Sequence, residues 1–165
     1  MHLLLLSLCL VAQAASGSPG DGAAAAAPAI GSMRAHLLQY KTGRLSDDVL
    51  DQKNAGQWNS IAGPNASNAT LVLVEVSGAP GGTYTGFFGP KTKYMVRLVA
   101  RETGRRPKTL LDVTRPIPVL DDRGRALVPF LVYQSGCSPV RLTASIAGAI
   151  PGKPLDRSLE FACGE

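Results

Sequence analysis

The feature that most constrains this chain is a period of two. Tyr94, Val96, Leu98 and Ala100 alternate with Lys93, Met95, Arg97, Val99 and Arg101. Successive strand residues point to opposite faces, so the run reads as a half-buried β-strand and not as a helix. Leu71 to Val76 is a second, β-branched run, closed by the turn chemistry of Ser77-Gly-Ala-Pro-Gly-Gly82. Thr83 to Phe88 is a further candidate strand, ended by Gly89-Pro90.

The same grammar continues toward the C-terminus. Thr103-Gly104 turns the chain, and Lys108 to Val113 is predicted to return as hairpin partner of the Tyr94 strand. Pro116 and Pro118 remove ladder donors, which marks an edge or a crossing connection. Asp121-Asp-Arg-Gly124 predicts a tight hairpin loop. Arg125 to Tyr133 is apolar on both faces and reads as a central strand, with Pro129 predicting a bulge or a break in pairing. Val140, Leu142, Ala144 and Ile146 form the inward set of the next strand, and Leu159 and Phe161 that of the last. Seven or eight short strands with Gly and Pro between them predict an all-β antiparallel sandwich of immunoglobulin-like architecture. The likeness is one of architecture alone, because the single tryptophan, Trp58, precedes Cys137 and Cys163 instead of lying between them.

The stretch before Ala69 carries a weaker pattern. Arg34 to Tyr40 reads as a strand with His36, Leu38 and Tyr40 on one face. Ser46-Asp47-Asp48 resembles a helix start, with carboxylates at the positive end of the helix dipole and Gly56 as its stop. Trp58 is the one large anchor of the segment and is expected to pack over the sandwich edge.

The first residues predict export. Leu3 to Leu6, Leu8, Leu10 and Val11 form an apolar run that ends at Ala12-Gln13-Ala14, a small-x-small cleavage pattern. The run is well short of the ~20 residues of a membrane-spanning helix, and no later segment is long enough either. Residues 1–14 are therefore read as a cleavable signal peptide, although no Lys or Arg precedes the run. Residues 15–31, rich in Gly, Ser, Pro and Ala, read as a flexible tether, and 32–165 as one sandwich domain in the periplasm or outside the cell. Removing the signal removes Cys9 and leaves Cys137 and Cys163, an even pair that predicts one disulfide. Closing such a loop stabilises by roughly 3 kcal/mol in the chain-entropy model. Free thiols or half of a metal site are the alternatives, the latter poorly served by the distant His36.

Familiar catalytic patterns are missing. After the signal, His36 is the only histidine, and there is no Gly-x-Ser-x-Gly elbow and no phosphate-cradling glycine loop. Asp47-Asp48 and Asp121-Asp122 are adjacent acids, whose side chains diverge and so do not face each other across a cleft. Asp121-Asp122 lacks the further oxygen ligands of a calcium loop. No cofactor or metal is expected. Asn65-Ala-Ser67 and Asn68-Ala-Thr70 are glycosylation sequons in a polar loop, relevant only in a eukaryotic secretory pathway; the composition leans instead toward a bacterial source.

Charge is where the chain departs from the ordinary. Lys91, Lys93, Arg97, Arg101, Arg105, Arg106, Lys108 and Arg115 face only Glu102 and Asp112, so this stretch carries +6 in a chain of net +5. Lys93, Arg97 and Arg101 share a strand face, and Arg105-Arg106 cap the adjoining turn, which makes a coherent basic patch with Lys108. The bland alternative is edge-protecting charge on a solvated strand. The expected function is non-enzymatic: an exported binding or structural protein contacting an anionic envelope component or an acidic protein. Nucleic acid is not expected, because no aromatic platform interleaves the cations. The rival reading is a secreted or periplasmic hydrolase centred on His36.

Overall fold

A computed structural model describes residues 27–51, 53, 66–78, 94–133, 138–148 and 152–161. The described residues form eight strands: β1 (Ala29–Gln39), β2 (Arg44–Leu45), β3 (Ser67–Ser77), β4 (Tyr94–Glu102), β5 (Thr109–Pro116), β6 (Arg125–Tyr133), β7 (Val140–Gly148) and β8 (Leu155–Leu159). They sort into two four-stranded antiparallel sheets, β2-β1-β3-β6 and β5-β4-β7-β8. The protein is all-β and sandwich-like, and among the described residues no helix is long and apolar enough to cross a membrane.

Period two explains the core. β4 buries Tyr94, Val96, Leu98 and Ala100, and β7 buries Val140, Leu142, Ala144 and Ile146. From the other sheet come Val72, Val74 and Val76 of β3 with Val128, Phe130 and Val132 of β6, all in one cluster with the first set. Burying each large aliphatic or aromatic side chain contributes about 1.5–3 kcal/mol, and alternate positions deliver them to one side at no extra chain length. Leu159 is fully buried and Phe161 packs against the same cluster. Ile117 and Leu120, between β5 and β6, are buried as well.

Several boundaries differ from the sequence reading. β1 begins at Ala29, so the last three residues assigned to the tether belong to a strand paired with β3. Arg34 to Tyr40 is indeed largely strand, but its inward side chains are Met33, Ala35 and Leu37, with His36 and Leu38 on the outer face. No helix starts at Ser46. Instead, residues 46–50 strap the open edge of β1: the Ala35 N–H donates to Asp48 Oδ1 at 2.9 Å and the Leu37 N–H to Ser46 Oγ at 2.8 Å. The Ser46 and Val49 N–H groups return hydrogen bonds to the Leu37 and Ala35 carbonyls. A short polar side chain that accepts a backbone N–H serves a helix cap and a strand edge equally well, which is why the two look alike in sequence.

Among the described residues β6 pairs only with β3, so Arg125 to Tyr133 stands at the edge of its sheet there and not at the centre. Its register to β3 runs unbroken from Ala69↔Tyr133 to Ser77↔Arg125, so the bulge expected at Pro129 is absent. An edge strand turns every second N–H away from the sheet, and a proline at such a position costs no ladder bond. The Asp121–Gly124 turn forms locally: Asp121 Oδ1 accepts from the Arg123 and Arg125 N–H groups, and Gly124 takes φ +71°. It does not join two strands of one sheet, as a hairpin would, but carries the chain from β5 across to β6 of the other sheet. Asn68 lies on β3, exposed, and not in a loop. Trp58, Asn65, Thr83 to Phe88, Lys91, Lys93, Cys137, Cys163 and residues 1–26 lie outside the described residues.

Candidate functional site

The outward face of the β5-β4-β7-β8 sheet is the chemically richest surface. β4 presents Met95, Arg97, Val99 and Arg101 outward, because their neighbours in sequence are buried in the core. Pairing with β7 sets Arg101 opposite Arg141, Val99 opposite Thr143 and Arg97 opposite Ser145. On the other side, β5 sets Asp112 opposite Val99 and Thr109 opposite Arg101. Together they floor and wall a depression of about 440 Å³, whose lining includes Arg97, Val99, Arg101, Asp112, Arg141 and Thr143.

Two ion pairs cross this face on the diagonal. Arg97 donates from Nε and Nη2 to the two Asp112 oxygens, each at 2.7 Å. Arg141 donates likewise to Asp156 on β8, at 3.3 and 3.0 Å, and Thr143 Oγ1 adds a third bond to that carboxylate. Hydrogen bonding from Arg97 holds the Asp112 carboxyl below its ordinary value, and Arg97 is raised in return. Hydrogen bonds from Arg141 and then Thr143 lower Asp156 in the same way. All four side chains remain close to half exposed or more, so each pair adds little stability. Their effect is on charge: both arginines are already matched.

Other cations of β4 and of the connection after it have no such match. Arg101, Arg105, Arg106 and Lys108 are exposed, and none of them forms a salt bridge among the described residues. Arg105, Arg106 and Lys108 occupy the β4–β5 connection. That connection is held by a Glu102 N–H bond to the Lys108 carbonyl and by Thr103, whose N–H and Oγ1 both donate to the Pro139 carbonyl. Arg101 stands directly across from Arg141, and like charges directly opposite on neighbouring strands repel.

Of the cations read as a patch, Arg101 lies on β4 and Arg105, Arg106 and Lys108 lie exposed on the connection after it, Arg97 is ion-paired with Asp112, and Lys93 lies outside the described residues. Arg115 belongs elsewhere: its position pairs with the inward Val96, and its guanidinium carbon sits 5.7 Å from the centre of the Phe130 ring in the opposite sheet. Arg141, Thr143 and Asp156 were missed. Their outward parity was readable from Val140, Leu142 and Ala144, but their nearness to β4 depends on a pairing between strands some forty residues apart.

Among the described residues, His36 bonds to the main chain of the strap. Its Nδ1 donates to the Ser46 carbonyl at 2.9 Å, while the Ser46 hydroxyl accepts from Leu37 and donates to the Asp47 carbonyl. Among the described residues no group of three or more His, Cys, Asp or Glu side chains is arranged to hold a metal ion. Comparison with protein-family models, with curated proteins and with solved structures gave no match.

Proposed function

We propose that this is an exported, non-enzymatic sandwich protein that binds an anionic envelope component or an acidic protein through the outer face of the β5-β4-β7-β8 sheet. One observation carries the reading: Arg101, near the end of β4, and Arg105, Arg106 and Lys108, on the connection that follows it, are exposed and form no salt bridge among the described residues, beside two arginines that are matched. A depression with no aromatic residue in its lining, with Arg101 in its wall and Arg105, Arg106 and Lys108 exposed on the connection beside it, favours a partner recognised by charge. Export rests on the apolar run and the Ala12-Gln13-Ala14 pattern, and the Cys137–Cys163 disulfide belongs with it.

An immunoglobulin-like architecture is part of the same proposal. Reading β1, β3, β4, β5, β6, β7 and β8 as strands A, B, C, C′, E, F and G gives A-B-E in one sheet and C′-C-F-G in the other. Central B–E and C–F pairings of this kind support that assignment.

Retention on an anionic matrix tests the binding reading. The triple substitution Arg101→Gln, Arg105→Gln, Arg106→Gln is expected to lower the eluting salt far more than Lys41→Gln, Arg44→Gln, Arg123→Gln, which removes the same charge elsewhere. Equal shifts for the two variants would mean that only net charge is sensed, and the proposal would fall.

A further inference from the structure

One row of polar residues crosses all four strands of the β5-β4-β7-β8 sheet. Thr109 of β5 is opposite Arg101 of β4, Arg101 is opposite Arg141 of β7, and Arg141 is opposite Ser158 of β8. Side chains directly opposite on an antiparallel pair start about 4.5–5.5 Å apart. Thr109, Arg101 and Arg141 line the same depression, so both guanidinium groups border one concave space. An anion placed between them offsets their mutual repulsion.

Two details set this row apart. The β4–β5 register shifts after Ala100, which is opposite Leu111; the shift leaves Leu110 without a partner and brings Thr109 opposite Arg101. In an unbroken register Leu110 would be the neighbour of Arg101. With the shift, Leu110 packs against the core and a hydroxyl joins the depression. Bulges re-aim side chains in this way beside functional sites. The second detail is Arg141, whose Nε and Nη2 are held by Asp156. Its guanidinium is thus fixed before any ligand arrives, with Nη1 left to donate. Arg101, with no salt bridge among the described residues, keeps its whole fork.

Two arginines and a hydroxyl on three strands offer donors from three directions. A carboxylate has two oxygens in one plane and suits a single guanidinium fork, whereas the three free oxygens of a sulfate or phosphate ester match a three-part donor set. Arg97, Arg101 and Arg141 stand against Glu102 and Asp112 in the lining, a balance of three cations to two anions that suits one anionic group and not a dense polyanion. No aromatic ring is there to stack a base or a sugar, so the charged group itself is what is recognised. We infer that the Thr109–Arg101–Arg141 row is an oxyanion subsite, taking one sulfate or phosphate ester group between the two arginines. The inference rests on the binding reading above and narrows it from a charged face to a single group.

NMR titration of the isotope-labelled full chain with sodium sulfate, sodium phosphate or sodium acetate, at constant ionic strength, tests this. Sulfate or phosphate should saturate the shifts of the three residues, with acetate about tenfold weaker. The decisive variant is Arg141→Gln with Asp156→Asn, which deletes an ion pair and leaves net charge unchanged. It should weaken oxyanion binding about tenfold, the loss of one charge-assisted hydrogen bond, and Thr109→Val about threefold. Arg123→Gln, which does lower net charge, should stay within about twofold of the native chain. All these positions are exposed, and an unaltered far-UV circular dichroism spectrum would confirm the fold of each variant. Titration with glucose sulfate and glucose phosphate esters then identifies which ester is taken; binding of neither would overturn the subsite. So would shifts linear in every anion, acetate as tight as sulfate, or a double variant that binds like the native chain. Such failures leave the matrix comparison standing, because that experiment reads the unmatched charge of Arg101, Arg105 and Arg106 and not the ion-paired Arg141.

Discussion

Replacing Phe130 by Ala should remove much of the stability of the fold. Phe130 is 1% exposed and is the bulkiest side chain buried to that degree. It pairs with Val72 in β3 and sits in the cluster shared by both sheets. Truncation of such a residue costs about 3–5 kcal/mol, the lost transfer energy plus the cavity left behind. A domain of this size holds roughly 5–15 kcal/mol in total, so about a fifth of it at the least would go. Urea unfolding followed by far-UV circular dichroism reads this as a lower midpoint with an unchanged slope. The neighbourhood supplies an internal check. Arg115 caps the Phe130 ring from the β5 edge, a contact worth about 0.5–1 kcal/mol at an exposed site. In a double-mutant cycle of Arg115→Gln with Phe130→Leu, the coupling should fall in that range. A cost below about 1 kcal/mol for Phe130→Ala would refute the placement of this ring between the sheets. A coupling of zero would refute the capping role of Arg115 while leaving the core assignment standing.

Three further outcomes are expected. Asp112→Asn releases Arg97 from its bidentate partner, so retention on an anionic matrix should tighten by about two- to fivefold; weaker retention would show that Asp112 supports the site and does not mask it. Asp156 has its carboxyl held below the ordinary value of 3.8, so its bonds contribute stability above that pH and lose it as pH falls through the lower, folded-state value. The difference in urea midpoint between the native chain and Asp156→Asn should accordingly hold steady from neutral pH to about pH 4 and close below it; a gap that widened in acid would contradict the assignment. In the exported protein, mass spectrometry with and without reductant should find Cys137 joined to Cys163, since Val140 pairs with Leu159 and brings the two chain segments together just short of the cysteines; two alkylatable thiols in the native protein would refute the bond.

Much of the fold was legible because burial follows parity. The inward residues of β4 and β7 could be named from alternation alone. Parity is silent on which strands are neighbours, and that is where the reading went astray. β6 carries apolar residues on both faces, the pattern of a central strand, yet among the described residues it has β3 as its one neighbour, and the outward apolar residues stay exposed or half-buried. The two diagonal ion pairs were illegible for a related reason. Arg97 is fifteen residues from Asp112 and Arg141 fifteen from Asp156, spacings that acquire meaning only once the registers are known. The basic cluster, by contrast, was visible as a run of sequence, and the structure redistributed its charge by matching Arg97.

The way the sheets are finished at their sides has a broader consequence. β1 is closed by the Ser46–Asp48 strap, β6 carries Pro129, β5 ends at Pro116, and β8 is only five residues long with Asp156 and Arg157 exposed. Main-chain amides are thus poorly placed to recruit a visiting strand, a mode of recognition that is largely blind to sequence. Among the described strands, recognition is left to the side chains of the sheet faces. A surface of that kind can be altered one residue at a time while the scaffold beneath stays the same.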